Sequence, residues 1–136
     1  MGRPGSELER TVIRRAAGRC EYCHFPEAVS ELPFHIDHII AEKHGGLTEA
    51  ANLAWACFSY NLRKGPNIAG LDPVSGELTR LFHPRFDHWA GHFEGPGAWL
   101  HGKTAIGRTT IAVLGINDED DVAVREALLV GGILAF

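Results

Sequence analysis

Residue types that bind protons and cations crowd into one short stretch of this chain. His35, Asp37, His38 and His44 lie within FHIDHIIAEKHGG, residues 34–46. A histidine titrates near ~6.5 and can accept a proton at neutral pH. A carboxylate offers hard oxygen donors to a divalent cation. Downstream stand Asn52 and Asn61, whose amide oxygens are also hard ligands, then Arg63 and Lys64, which suit phosphate. Upstream, Cys20 and Cys23 are separated by two residues, and Cys57 follows later. Thiolates are the softer donors of structural zinc sites. The chemistry on offer is general base catalysis beside a hard cation, with a separate thiol cluster.

Each residue alone has an ordinary explanation. A single histidine on a strand is usually a surface or satisfied core residue, and an arginine or lysine at a helix end is usually solvated. The order of the pieces carries more weight: Cys20-x2-Cys23, His35-x-Asp37-His38, His44-Gly45-Gly46, Asn52-Leu53, then Cys57-x2-Tyr60-Asn61-x2-Lys64-Gly65. Over roughly residues 18–66 this order resembles the HNH endonuclease family, also called His-Me finger or ββα-metal nucleases.

The resemblance implies hydrolysis of DNA phosphodiester bonds. That reaction needs an attacking water, a base to deprotonate it and a cation at the leaving oxygen. By resemblance His38 is the general base, and Asp37 and Asn61 hold the metal, Mg²⁺ or Mn²⁺. Asn52 orients the loop and the base through hydrogen bonds. Arg63, Lys64, His35 and His44 are the substrate-facing candidates. Many family members bind a structural zinc through two CxxC pairs. Here the second pair reads Cys57-Phe58-Ser59-Tyr60. A phenol titrates near ~10 and is a poor zinc ligand at neutral pH. The expectation is that zinc at Cys20, Cys23 and Cys57 is weakened or lost, unless His24 or water completes the site. Two other readings stand beside the nuclease: a non-catalytic nucleic-acid-binding or interaction module on a degenerate HNH scaffold, and a structural zinc ribbon.

The elements that must position these residues are legible in outline. Ser6 and Glu9 read as a capping box for a helix over residues 6–17, with Leu8, Val12, Ile13 and Ala16 on one face and Gly18 as the stop. Residues 34–40 read as a strand, 41–51 as a loop around Gly45-Gly46, and 52–56 as a second strand. Residues 57–64 suit a short helix closed by Gly65-Pro66. On a regular strand Asp37 and His38 point to opposite faces, so the resemblance further implies a bend that turns both toward Asn61. Beyond residue 66, residues 77–84 alternate as a strand with HWAGHFE as a hairpin partner. A helix follows over 104–115, with Ile106, Thr110, Val113 and Leu114 on one side. Asp118 caps a last helix over 122–130, ended by Gly131-Gly132. The expected fold class is α+β: an HNH ββα-metal core, an N-terminal helix, and a C-terminal extension of a hairpin plus helices. One domain spans 1–136, with its core at about 18–66 and the extension at about 67–136.

Composition sets the frame. The 136 residues are 45% hydrophobic and 22% charged, as in an ordinary globular chain. No apolar run nears the ~20 residues of a membrane span, and the N-terminus lacks a secretory h-region. The expectation is a cytoplasmic protein with DNA as partner and no membrane; nothing in the pattern specifies an oligomeric state. Three cysteines without an export signal favour metal binding or free thiols over disulfides. The net charge of −4 does not advertise nucleic acid. It is uneven, however: about +2 over residues 1–23, about +1 over 58–92, and about −4 over each of 24–57 and 114–136. A phosphate-binding face is therefore expected near Arg14, Arg15, Arg19, Arg63, Lys64, Arg80 and Arg85.

Overall fold

The computed structural model describes residues 5–95 and 97–133. They form two compact units. The first takes in the described residues up to Ile68 together with His83–Arg85; the second takes in Ala69–Phe82 and the described residues from Phe86 onward.

The first unit opens with α1, Ser6–Ala16. Gly5, not Ser6, is its N-cap, so the expected capping box does not form. Ser6 is already the first helical residue, and the Glu9 amide bonds the Gly5 carbonyl. Val12 and Ala16 are the buried residues of this helix, while Ile13 is 39% exposed. The helix stops in two successive left-handed residues, Ala17 and Gly18. The cysteine turn follows, closed by the His24 amide on the Cys20 carbonyl.

β1, His35–His38, then pairs antiparallel with β2, Leu53–Ala56, in the register His35↔Ala56 to His38↔Leu53. Both strands are shorter than expected, because Asn52 sits at the end of a 3-10 turn, Ala50–Asn52, ahead of β2. α2, Phe58–Lys64, completes a strand–strand–helix core. Leu53, Ala54 and Ala56 are fully buried and make the floor on which α1 packs. Burying such apolar side chains contributes roughly 25 cal/mol per Å².

The second unit departs from expectation in its pairing. β4, Leu78–Arg80, pairs not with HWAGHFE but with β3, Ala69–Leu71, which lies in the run of turn signals before it. Residues Trp89–His92 form α3, a single turn. β5, Phe93–Glu94, pairs with β6, His101–Gly102. α4, Ala105–Leu114, is capped by the Thr104 side chain, which accepts the Gly107 amide; α5 is Glu119–Val130. Gly107 lets two backbones close on each other and Gly70 admits a side chain: a Cβ on Gly107 would sit 2.1 Å from the His92 carbonyl oxygen, and one on Gly70 2.5 Å from the Val113 Cγ2 methyl.

Two polar clamps tie this unit together. Arg125, 2% exposed, donates to the carbonyls of Ala98 and Ile116 at 2.7 and 2.6 Å. Asp72, 1% exposed, receives both arms of the Arg108 guanidinium at 2.9 and 2.8 Å, plus the Val74 amide and the Ser75 hydroxyl. Among the described residues the observed architecture is α+β, built from helices and three separate two-stranded antiparallel sheets.

The hydrogen bonds from Arg108 hold the Asp72 carboxyl well below the ordinary aspartate range. A group depressed in the folded state stabilises that state above its unfolded pKa of ~3.9, and the gain is lost as the pH falls through the folded value. Asp72→Asn is therefore expected to melt below the wild type at neutral pH. The gap should narrow steadily as the pH drops under about 4, which thermal melts in a pH series will measure. A gap that is constant with pH would show that Asp72 is not titrating in this window.

Candidate active site

In the first unit Asp37, His38 and Asn52 lie at the loop end of the β1–β2 hairpin. Asp37 and His38 are neighbours on β1, yet both are buried, at 5% and 6% exposure. Asp37 lies under the cysteine turn and α2. The Tyr22 hydroxyl donates to its Oδ2 at 2.7 Å. The Lys64 ammonium lies 3.1 Å from Oδ2 and 3.3 Å from Oδ1. The same ammonium donates to the carbonyls of His38 and Ile39 at 3.2 and 3.1 Å. Its three protons are thus spent on the end of β1 and the residue that follows it. Lys64 is 1% exposed. The expected phosphate contact by Lys64 is not met: the last residue of α2 points inward, where a buried carboxylate needs a counter-charge.

Burial raises the Asp37 carboxyl above the ordinary aspartate value, and the Lys64 charge and Tyr22 hydroxyl oppose that rise without cancelling it. Burial and the adjacent Asp37 charge hold the Tyr22 phenol well above its usual range, so it stays a donor.

His38 uses Nε2 to meet the Thr48 hydroxyl at 2.9 Å. Asn52, 7% exposed, braces the loop between the strands. Its Oδ1 accepts the Ile40 amide, and its Nδ2 donates to the carbonyls of Ile40 and Leu47, all at 2.9 Å. These bonds fix the loop that delivers Thr48; they do not run to the His38 ring. The glycine pair has two separate reasons. Gly45 is left-handed at φ 92°. A Cβ on Gly46 would lie 1.7 Å from the Ile40 oxygen and 2.8 Å from Asn52 Nδ2, so only glycine fits against the brace.

Asn61 is half-buried on α2, one turn before Lys64. Residues three apart share a helix face, so Asn61 stands on the face that Lys64 turns to β1. Its carboxamide makes no hydrogen bond among the described residues. The donors suit a hard divalent cation: Asp37 Oδ1 carries a single contact, at 3.3 Å, and the Asn61 amide oxygen is uncommitted. No geometry joins the two through a cation here.

The remaining candidates lie at the surface. His35 is exposed, with its ring 5.7 Å from that of Phe58. His44 is exposed at the end of the 3-10 turn Glu42–His44. Arg63 is exposed, its guanidinium 5.8 Å from the centroid of the buried Tyr60 ring. Of the other arginines expected to face phosphate, Arg15 bonds the Leu53 carbonyl and Arg19 the His24 carbonyl; Arg85 pairs with Glu21. In the second unit Arg80 is paired with Asp87.

Cys20, Cys23 and Cys57 are buried with free thiols, and their sulfurs all lie within 4.8 Å of one another. Cys23 and Cys57 are 4.0 Å apart. Thiolates at ~2.3 Å from a tetrahedral ion stand about 3.8 Å apart, so three corners of a site fit a metal such as zinc. Among the described residues no histidine or carboxylate joins them, His24 included. Burial pushes the Cys20 thiol up, yet hydrogen bonds from Cys23 and Cys57 outweigh it and hold Cys20 well below the usual range. Cys23 is pushed well up by burial, and Cys57 is raised by its hydrogen bond with Cys20.

Residues 20–67 match the HNH endonuclease family. The HNH segment runs from the first cysteine to just beyond α2 and holds Asp37, His38, Asn52, Asn61 and Lys64, whereas the second unit lies outside it. β1, β2 and α2 are its ββα core. The matched model is that of a nuclease family, and the likeness suggests work on nucleic acid. No curated protein and no solved structure gives a significant match. Among the described residues no helix is long and apolar enough to cross a membrane.

Two partners in the HNH segment escaped the reading of the sequence. Tyr22 sits between two cysteines, where the eye goes to the thiols. Thr48 follows Gly46 in a loop whose direction is set only by the Asn52 brace. Replacing Asn52 by alanine strands the Ile40 amide and two carbonyls. We expect Asn52→Ala to lose about 1–3 kcal/mol of stability and to speed amide exchange at Ile40, measured by denaturant unfolding and hydrogen exchange. An Ile40 amide as protected as in the wild type would contradict the brace.

Proposed function

We propose that this protein is an HNH endonuclease that hydrolyses DNA phosphodiester bonds with the help of a divalent cation, Mg²⁺ or Mn²⁺. The observation that carries the reading is a buried imidazole beside a buried carboxylate on β1, inside a segment that matches a nuclease family.

In this reading His38 is the general base. The role calls for the tautomer in which Nε2–H donates to Thr48, 2.9 Å away, so that Nδ1 keeps its lone pair and takes the proton of the attacking water. Asn52 keeps the loop, and through it Thr48, in place. Asp37 and Asn61 would hold the cation, which when bound supplies positive charge to the phosphate and the leaving oxygen. Arg63, His35 and His44 lie exposed and meet the nucleic-acid backbone. The experiment is a plasmid-nicking assay with Mg²⁺ or Mn²⁺. His38→Ala should lose at least about a hundredfold in rate while its circular dichroism is unchanged. Equal nicking by the variant would remove His38 from this role.

Tyr60 stands where the family resemblance has a fourth cysteine, and it is 3% exposed. We infer that the three thiols hold zinc weakly and that the tyrosine ring fills part of the knuckle. Chelator treatment followed by elemental analysis should leave well under one zinc per chain. A full equivalent that resists the chelator would show a closed site.

One observation favours a second reading. The Asp37 charge is already answered by Lys64, as in a scaffold that binds nucleic acid without cutting it. Cation binding that depends on Asp37 and Asn61 separates the nuclease from that module.

A further inference from the structure

Lys64 poses a problem for the cation site. An ammonium buried to 1% exposure lies 3.1 Å from one oxygen of Asp37 and 3.3 Å from the other. It has no water to retreat to, and the backbone carbonyls of His38 and Ile39 hold it there. The Tyr22 ring closes the site at 6.0 Å from Nζ, and the Tyr22 hydroxyl occupies Asp37 Oδ2 at 2.7 Å. Phosphate cannot reach this lysine, so a substrate-binding role does not explain it. Nor does helix termination: Gly65 ends α2 without it.

We propose that Lys64 is the resident counter-ion of Asp37 and competes with the divalent cation for that carboxylate. This rests on the reading that Asp37 is a metal ligand. In the metal-free protein Lys64 prevents Asp37 from being a buried charge without a partner. Asp37 would offer a cation chiefly Oδ1, where the lysine contact is the longer one, because Oδ2 is committed to Tyr22. A cation binds there against the positive charge of Lys64 a few ångströms away. The lysine therefore lowers cation affinity and makes the metal-free fold self-sufficient. It also ties the strand bearing Asp37 to the helix bearing Asn61, so the donors stay in place while the cation is absent.

The test measures Mn²⁺ binding to the full chain by electron paramagnetic resonance of free Mn²⁺, with thermal melts alongside. The variants are Lys64→Met, Asp37→Asn and the pair together. Lys64→Met should bind Mn²⁺ at least about tenfold more tightly, melt lower without the ion, and gain more from adding it than the wild type does. The double variant should lose that gain. Unchanged or weaker Mn²⁺ affinity in a folded Lys64→Met would overturn the competition. If that variant does not fold, Lys64→Gln keeps a donor for the His38 and Ile39 carbonyls and decides the question by the same comparison. Should Asp37→Asn leave wild-type Mn²⁺ affinity intact, the metal-ligand reading itself fails; should it abolish binding while the Lys64 variants bind as the wild type does, only the competition fails.

Discussion

The first unit hangs on one buried ion pair. A single ammonium at the end of α2 serves the Asp37 carboxylate and the carbonyls of His38 and Ile39. Those acceptors end β1 and begin the loop, so the contact locks helix to strand at the place where chemistry is expected. Pairs of this kind are not a large net source of stability, because desolvation offsets most of the attraction. Their effect is geometric. Breaking one member typically costs about 3–5 kcal/mol, so alternative packings of α2 on the hairpin are disfavoured. The thiol cluster does a parallel task at the other end of the segment, holding the turn of Cys20 and Cys23 against Cys57, the N-cap of α2.

The HNH core was legible because its signals are local and ordered. Leu53 starts the second strand one residue after the pattern puts it, the glycine pair bends the loop, and Gly65 ends the helix within a residue of its expected place. The strand alternation was a poorer guide. Asp37 and His38 sit on opposite faces of β1 by period, yet both are covered, because elements on either side close over the short hairpin. Lys64 could not be read at all: at a helix end, a lysine that snorkels to water and one that turns inward have the same sequence.

Errors in the second unit have a different cause. Strand pairing is decided by which edge is free, which no local pattern records. ELTRLFHP looked for a partner downstream, but β3 was available upstream, hidden among turn residues, with Gly70 admitting Thr109 and Val113 against the hairpin. The helix cap at Ser6 failed for a smaller reason, since the preceding glycine could take the extended cap conformation and let the helix begin one residue sooner. Asp72 and Arg125, buried and fully engaged, are the residues that composition alone would have put on the surface.

The bond between His38 and Thr48 reaches further than positioning. His38 is covered, but Thr48 is exposed. A hydroxyl both donates and accepts, and it turns freely about its C–O bond. The covered imidazole therefore reaches the surface through a single hydroxyl, and Thr48, not the ring, is the group that meets solvent.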